Sequence, residues 1–221
     1  MKRWLSIGLL LSLAVLGRPA PARASWVSEH CYNDNESESA ITRSDARAYG
    51  ELAVGEGYNW GGGCWNDNDK DDTPNAPDSS GEGADCSGLT FKTWEMKNES
   101  HKSGWTYWER LYNVHGPYTT TDYHSPESAD PFLKLADKDP STTIYMDAFA
   151  KIGHVAMLYV DSGSPFGTDL MIEALGDAYG MGKFYEAYRG QSEYVGVRRE
   201  GWTDDCFPIC GRAPDSLVVV P

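Results

Sequence analysis

Apolar and polar positions change their spacing at two places in the chain. After Asp85, apolar side chains recur with helical spacing from Leu89 to Met96, and the aspartate is a residue type that often precedes the first turn of a helix. Further along, the segments 154–160 and 170–175 are rich in β-branched and aromatic residues and are separated by a turn-rich stretch. The pattern therefore predicts a helix beginning near Cys86 and a later β-hairpin, with a third strand at 193–199.

The first 24 residues have the pattern of an export signal. Lys2 and Arg3 precede an apolar run at 4–16, and small residues at Ala22 and Ala24 are typical of a cleavage site before Ser25. The run is too short to span a bilayer, so a transmembrane anchor is the less favoured interpretation. We expect a secreted or periplasmic protein without a membrane anchor, consisting of a single domain at 25–221. Its core would lie at about 41–200, followed by a tail at 201–221.

The charge of the chain excludes some partners. The whole sequence has 19 basic and 33 acidic residues, and the predicted signal holds four of the basic residues and no acid. The mature chain therefore has 15 basic and 33 acidic residues, a formal charge of −18. Such a charge opposes binding to nucleic acid or to anionic lipid.

The cysteine count is odd, at five. In an exported protein cysteines tend to pair, and four of them allow three connectivities. We favour Cys31–Cys64 and Cys206–Cys210, which leaves Cys86 as the unpaired thiol. A buried structural thiol and an intermolecular bridge are the alternatives.

The position of Cys86 at the start of the predicted helix favours a reactive role for its thiol. In the first turn of a helix, free backbone N–H groups and the positive end of the helix dipole favour the thiolate, which is the attacking form of cysteine. His154 is the one histidine of five that opens a strand-like run. If the hairpin is centred between Gly163 and Ser164, Glu173 becomes a near cross-strand neighbour of His154. A carboxylate there would orient the imidazole and favour its charged form, although a solvated strand residue is the simpler interpretation of Glu173.

Four segments resemble, in order, the NlpC family of papain-like cysteine peptidases. They are the helical stretch 41–57, "GYNWGGG" at 57–63, "DCSGLTFKTW" at 85–94 and "GHVAMLYV" at 153–160, with Asp147 just before the last. The resemblance implies an α+β, papain-like fold in which the cysteine begins a helix packed on an antiparallel sheet.

The resemblance also implies roles for individual residues. Cys86 would be the nucleophile, His154 the base and Glu173 the orienting residue, while four residues would contact substrate or shape the pocket: Tyr58, Trp60, Asp85 and Ser87. Core packing is the alternative for the two aromatic residues. The implied activity is hydrolysis of an amide in a peptidoglycan stem peptide, through an acyl-enzyme, by a monomer without a cofactor. A thioesterase, lipid hydrolase or acyltransferase with the same site is an alternative, as is a non-catalytic secreted protein that binds calcium or a partner through its acidic loop.

Two loops carry further predictions. Asp67, Asp69, Asp71 and Asp78 imitate the spacing of a calcium loop, but Asp72 stands where such a loop needs glycine. A solvated acidic loop is therefore favoured over a metal site. Residues 100–145 hold many aromatic residues among polar ones, which is typical of an insertion that folds over the core.

Overall fold

A computed structural model describes residues 41–65, 83–96 and 116–203. The predicted signal, the acidic loop and its four aspartates Asp67, Asp69, Asp71 and Asp78 lie outside these ranges. So do Cys31, Cys206 and Cys210, and the Cys64 side chain is not described either, so the predicted disulfides stay predictions. Within the described ranges, no helix is long and apolar enough to cross a membrane.

The described part of the chain is built on a six-stranded antiparallel sheet with few helices. Its strands are β3 Phe132–Lys134, β4 Ala148–Lys151, β5 His154–Val160, β6 Asp169–Gly176, β7 Gly180–Glu186 and β8 Val195–Arg199. Across the sheet they lie in the order β3-β8-β4-β5-β6-β7. A smaller antiparallel pair consists of β1 Gly63–Cys64 and β2 Gly83–Ala84. This mixed architecture is compatible with the predicted α+β class.

The helices are short and are defined by their caps. Helix α1 spans Arg43–Leu52, and Thr42 accepts a hydrogen bond from the backbone N–H of Asp45 at its start. Helix α2 spans Cys86–Thr93 and is buried along its whole length, and α3 spans Thr120–His124. All eight residues of α2 are buried, polar as well as apolar, and the helix packs against β1, β5 and β6.

Alternating side chains divide the large sheet between two apolar clusters. Val155 and Met157 of β5 join α2 and the first helix in the larger cluster. Ala156 and Leu158 point the other way, into a smaller cluster that includes Tyr188 and Tyr194. His154 and Glu173 share this second face of the sheet, at the end where β5 begins.

Part of the predicted insertion belongs to the sheet. Phe132 to Lys134 pair with β8 as an edge strand, so the interpretation of 100–145 as an insertion over the core is wrong for this segment. Tyr118 and Tyr123 are fully buried and pack with Phe132, so the aromatic residues described here belong to the core. Three residues are too few for a strand pattern to be read from the sequence.

Candidate active site

Helix α2 begins at Cys86, as the sequence predicts. Asp85 is the N-cap, and its Oδ1 accepts hydrogen bonds from the Gly88 backbone N–H and from the Ser87 hydroxyl, each at 2.7 Å. Cys86 is a free thiol, 8% exposed. The cap satisfies the donor of Gly88, while the N–H of Cys86 belongs to the helix start that has no intrahelical acceptor.

The second carboxylate oxygen of Asp85 anchors the turn that carries Trp60. Asp85 Oδ2 accepts from the backbone N–H of Gly61 at 3.0 Å, and the Asp85 N–H donates to the Gly62 carbonyl at 3.1 Å. Gly61 has a φ of +75°, as the third residue of a tight turn often requires. Asp85 therefore joins the turn to the helix, and Ser87 shares its carboxylate.

Gly88 allows this turn to touch the helix. A Cβ atom at Gly88 would lie 2.0 Å from the carbonyl oxygen of Gly62. No side chain fits in that space, so the turn and the N-terminal part of α2 approach each other backbone to backbone.

His154 is the first residue of β5 and follows directly on a tight turn. The N–H of Gly153 in this turn donates to the Thr120 hydroxyl at 2.9 Å, which ties the turn to α3. His154 Nε2 lies 2.6 Å from Glu173 Oε2, and Glu173 is fully buried. The predicted neighbourhood of these two residues is confirmed.

The register in which β5 pairs with β6 differs from the predicted one. Met157 lies opposite Ile172, and the pairing shifts between Leu158 and Val160. Extended to the start of β5, this register places His154 opposite Leu175, so Glu173 is its diagonal neighbour. A glutamate side chain is long enough to reach across the diagonal.

The charge state of His154 depends on both Cys86 and Glu173. Burial alone lowers the pKa of His154, but hydrogen bonding and charge from Cys86 and Glu173 outweigh burial and raise the pKa from 6.5 to about 9. Cys86 is therefore close enough to interact with the imidazole. The site favours the imidazolium form of His154, with a buried carboxylate behind it.

Two tyrosines that the sequence did not single out complete the surroundings of His154. The Tyr188 hydroxyl donates to Glu173 Oε2 at 3.0 Å. The rings of Tyr188 and Tyr194 stack at 4.3 Å, and both meet the imidazole edge to face. Neither tyrosine lies in a recognisable motif, and only the folded chain brings residue 188 next to residue 173.

The two aromatic substrate-binding candidates lie in the segment 57–63, whose turn contacts the start of α2. Tyr58 is half-buried and forms a β-bridge with Ala84, and burial, followed by the charges of Cys86, Asp85 and Asp177, raises its pKa to about 12. Contact between its hydroxyl and the thiol stays a prediction. Trp60 is 84% exposed, so core packing is excluded for it.

Other candidate groups contribute nothing to this cluster. His124 ends α3, where its Nδ1 lies 2.9 Å from the hydroxyl of Ser125. His30, His101 and His115 lie outside the described residues. Among the residues that the structure does describe, no group of three or more histidine, cysteine or acidic side chains could hold a metal ion.

Comparisons with protein-family models, with curated proteins and with solved structures found no match to this chain. The interpretation of the site rests on its own geometry and on the motifs in the sequence.

Proposed function

We propose that the protein is a secreted cysteine hydrolase of the NlpC type, with a papain-like fold, that cleaves an amide bond. The observation that carries the proposal is the chain of contacts from Cys86 through His154 to Glu173. The thiol begins a buried helix, the imidazole is within its reach, and a buried carboxylate lies 2.6 Å from the imidazole nitrogen. This set supplies a nucleophile, a proton donor and an orienting anion.

The proposed reaction has two steps. The Cys86 thiolate attacks the amide carbonyl, and the Cys86 backbone N–H stabilises the oxyanion. The His154 imidazolium then gives its proton to the leaving amine as the C–N bond breaks, which leaves a thioester on Cys86. His154, now neutral, takes a proton from water as the water oxygen attacks the thioester carbonyl. The tetrahedral intermediate then breaks its C–S bond and releases the carboxylic acid, which leaves the Cys86 thiolate beside the His154 imidazolium.

The charge of His154 favours an amide over an ester substrate. An amine is a poor leaving group unless it is protonated, and a pKa of about 9 keeps His154 protonated at neutral pH. Thioester hydrolysis, and acyl transfer from a thioester donor, need no such proton. For this reason a peptidase or amidase is the first proposal, and thioesterase, lipid hydrolase and acyltransferase activities come after it.

A peptide in the cell wall is the proposed substrate. The predicted export signal would bring the protein to that compartment, and the NlpC-like motifs are those of enzymes that act on peptidoglycan stem peptides. Trp60 projects from a turn that is fixed to the start of α2, so a substrate at Cys86 would meet its exposed ring. Aromatic faces of this kind bind apolar and amide surfaces. We propose that the mature enzyme acts as a monomer.

The test is incubation of the mature protein with defined muropeptides, with mass spectrometry of the products. We expect a mass change that corresponds to one hydrolysed amide bond and its complete loss in Cys86→Ala. If the muropeptides stay intact while a thioester or lipid ester is cleaved, the substrate class is wrong. Lack of turnover on all of these substrates would favour a binding protein.

A further inference from the structure

The two oxygens of the Glu173 carboxylate differ in their hydrogen-bond contacts. Its Oε2 receives both described contacts, from His154 at 2.6 Å and from the Tyr188 hydroxyl at 3.0 Å. Its Oε1 is buried and has no hydrogen-bond partner among the described residues. Because the carboxylate is fully buried, the loss of a donor to it is costly. Its orientation therefore depends on the tyrosine as well as on the histidine.

We propose that Tyr188 is a positioning residue of the site: its hydroxyl keeps the Glu173 carboxylate turned with Oε2 towards His154. The inference rests on the proposed function, in which the imidazolium delivers a proton. A hydrogen bond from a neutral hydroxyl orients the carboxylate oxygen that accepts it. With Oε2 turned in this way, the carboxylate favours the imidazolium form of His154.

The position of the hydroxyl is itself fixed by the fold. Tyr188 begins a 3₁₀ turn, Tyr188–Gly190, and its carbonyl accepts from Lys138 Nζ at 3.1 Å. The next residue, Arg189, is buried and donates to Asp169 Oδ2 at 2.9 Å. On the side-chain end, the ring stacks on Tyr194 with an interplanar angle of 20°. Because the turn fixes the backbone and the stacking fixes the ring, the Tyr188 hydroxyl is held next to Glu173.

Other charged or titratable groups face the pair from several elements. They are Cys86 from α2, Lys151 from β4, Glu186 from β7 and Tyr194 from the loop before β8. Lys151 Nζ lies over the Tyr194 ring at 4.8 Å, and burial, followed by the charge of Glu173, raises the pKa of Glu186. The structure shows no hydrogen bond from either Lys151 or Glu186 to the Glu173 carboxylate, so the role proposed for Tyr188 is not duplicated there.

The test is a double-mutant cycle that reads the His154 imidazole directly. The pKa of His154 is measured by NMR of histidine-labelled protein in native, Tyr188→Phe, Glu173→Gln and doubly substituted chains. Tyr185→Phe is the matched control, because it removes a tyrosine hydroxyl from a side chain that is 71% exposed. No substrate is needed, so the result does not depend on which bond the enzyme cleaves.

We expect Tyr188→Phe to lower the pKa of His154 by about half a unit to one unit, which is roughly a three- to tenfold change in its protonation equilibrium. The shift should be absent in the Glu173→Gln background, because the tyrosine acts through the carboxylate. Hydrolysis should lose kcat by a similar factor with KM unchanged. Tyr185→Phe should match the native protein in the pKa of His154, in kcat and in KM.

Three results would overturn the proposal. An unchanged or increased pKa of His154 in Tyr188→Phe would show that the hydroxyl does not keep the carboxylate in place. An equal shift with and without Glu173 would show that only ring packing is involved. A native His154 that titrates near 6.5 would contradict the proposed function as well, and so separates the failure of the whole site from the failure of the role of Tyr188.

Discussion

The charge of the His154 imidazole depends on its neighbours and sets the pH range in which the site can donate a proton. Glu173 is one of the two groups that raise the pKa of His154 to about 9. Without that anion, the imidazolium gives up its proton at lower pH. We therefore expect Glu173→Gln to move the alkaline limb of the pH–rate profile from about 9 towards 6.5 and to reduce kcat by about 10- to 100-fold, less than Cys86→Ala does.

Glu193→Gln is the control for this experiment, because it removes the same charge from an exposed acid in the same part of the chain. Its profile should match that of the native enzyme. If the Glu173→Gln profile also matches, Glu173 is an ordinary buried strand residue. Asp169 cannot replace it, since that carboxylate is already paired with Arg189.

The same pKa shift makes stability depend on pH. The folded-state pKa of His154 lies above the ordinary value of 6.5, so its contribution is complete below pH 6.5 and is lost as the pH rises through about 9. A shift of this size corresponds to roughly 3 kcal/mol. Urea unfolding at pH 6 and pH 9.5 should show the native advantage over His154→Gln shrinking by about that amount. An advantage that is equal at both pH values would show that the imidazolium is not held.

At the residue scale, site residues could be predicted from the sequence where neighbouring residues along the chain determine their position. Asp85 and Cys86 could be predicted because a helix cap is read from adjacent residues. His154 and Glu173 could be paired because a hairpin relates positions on either side of one turn. Tyr188 could not, because its contact with Glu173 depends on how the chain turns after β7.

Helix α2 and the turn before it depend on a contact between backbones. A Cβ at position 88 would overlap the Gly62 carbonyl oxygen, so Gly88→Ala must push the turn and the helix apart. We expect a loss of about 2 kcal/mol or more in the free energy of unfolding, together with reduced activity. Equilibrium denaturation and a kinetic assay measure the two effects.

Gly190→Ala is the matched control, because a Cβ at Gly190 meets no atom within 4 Å. That variant should change the free energy of unfolding by no more than about 0.5 kcal/mol. Equal stability of the two variants would mean that the turn can move away from α2 without cost.

At the element scale, the start of α2 and the bounds of β5 agree with the sequence pattern, since capping and β-branched runs are strong local signals. Strand β3 was missed because Phe132–Lys134 is short and becomes a strand only through its pairing with β8. The register of the hairpin was displaced because the strands pair around Pro165, with Val160 opposite Leu170, and a long turn does not show its centre in the sequence.

On the scale of the whole molecule, one buried carboxylate joins distant parts of the chain. Asp147 is fully buried, pairs with Arg43 of α1 at 2.9 Å and pairs with Arg198 of β8 at 2.6 Å. Removing one partner of a buried ion pair leaves the others without compensation. We expect Asp147→Ala to reduce the free energy of unfolding by about 3 kcal/mol, while any protein that remains folded keeps the pH profile of the native site.

Denaturation curves of Asp147→Ala and of Glu127→Ala, an exposed acid, provide the comparison. The second variant should stay close to the native value. Equal curves for both would show that Asp147 does not hold α1 to the sheet.

The central claim is that Cys86 and His154 form a thiolate–imidazolium pair, and the most direct measurement is the rate of Cys86 alkylation by iodoacetamide as a function of pH. Peptide mapping identifies the labelled cysteine, and His154→Ala is the comparison. We predict that the native rate at pH 6 stays within about threefold of the rate at pH 8, whereas the variant loses about tenfold per pH unit, as an ordinary thiol does. A native rate that falls as steeply as that of His154→Ala, or a Cys86 found in a disulfide, would contradict the claim.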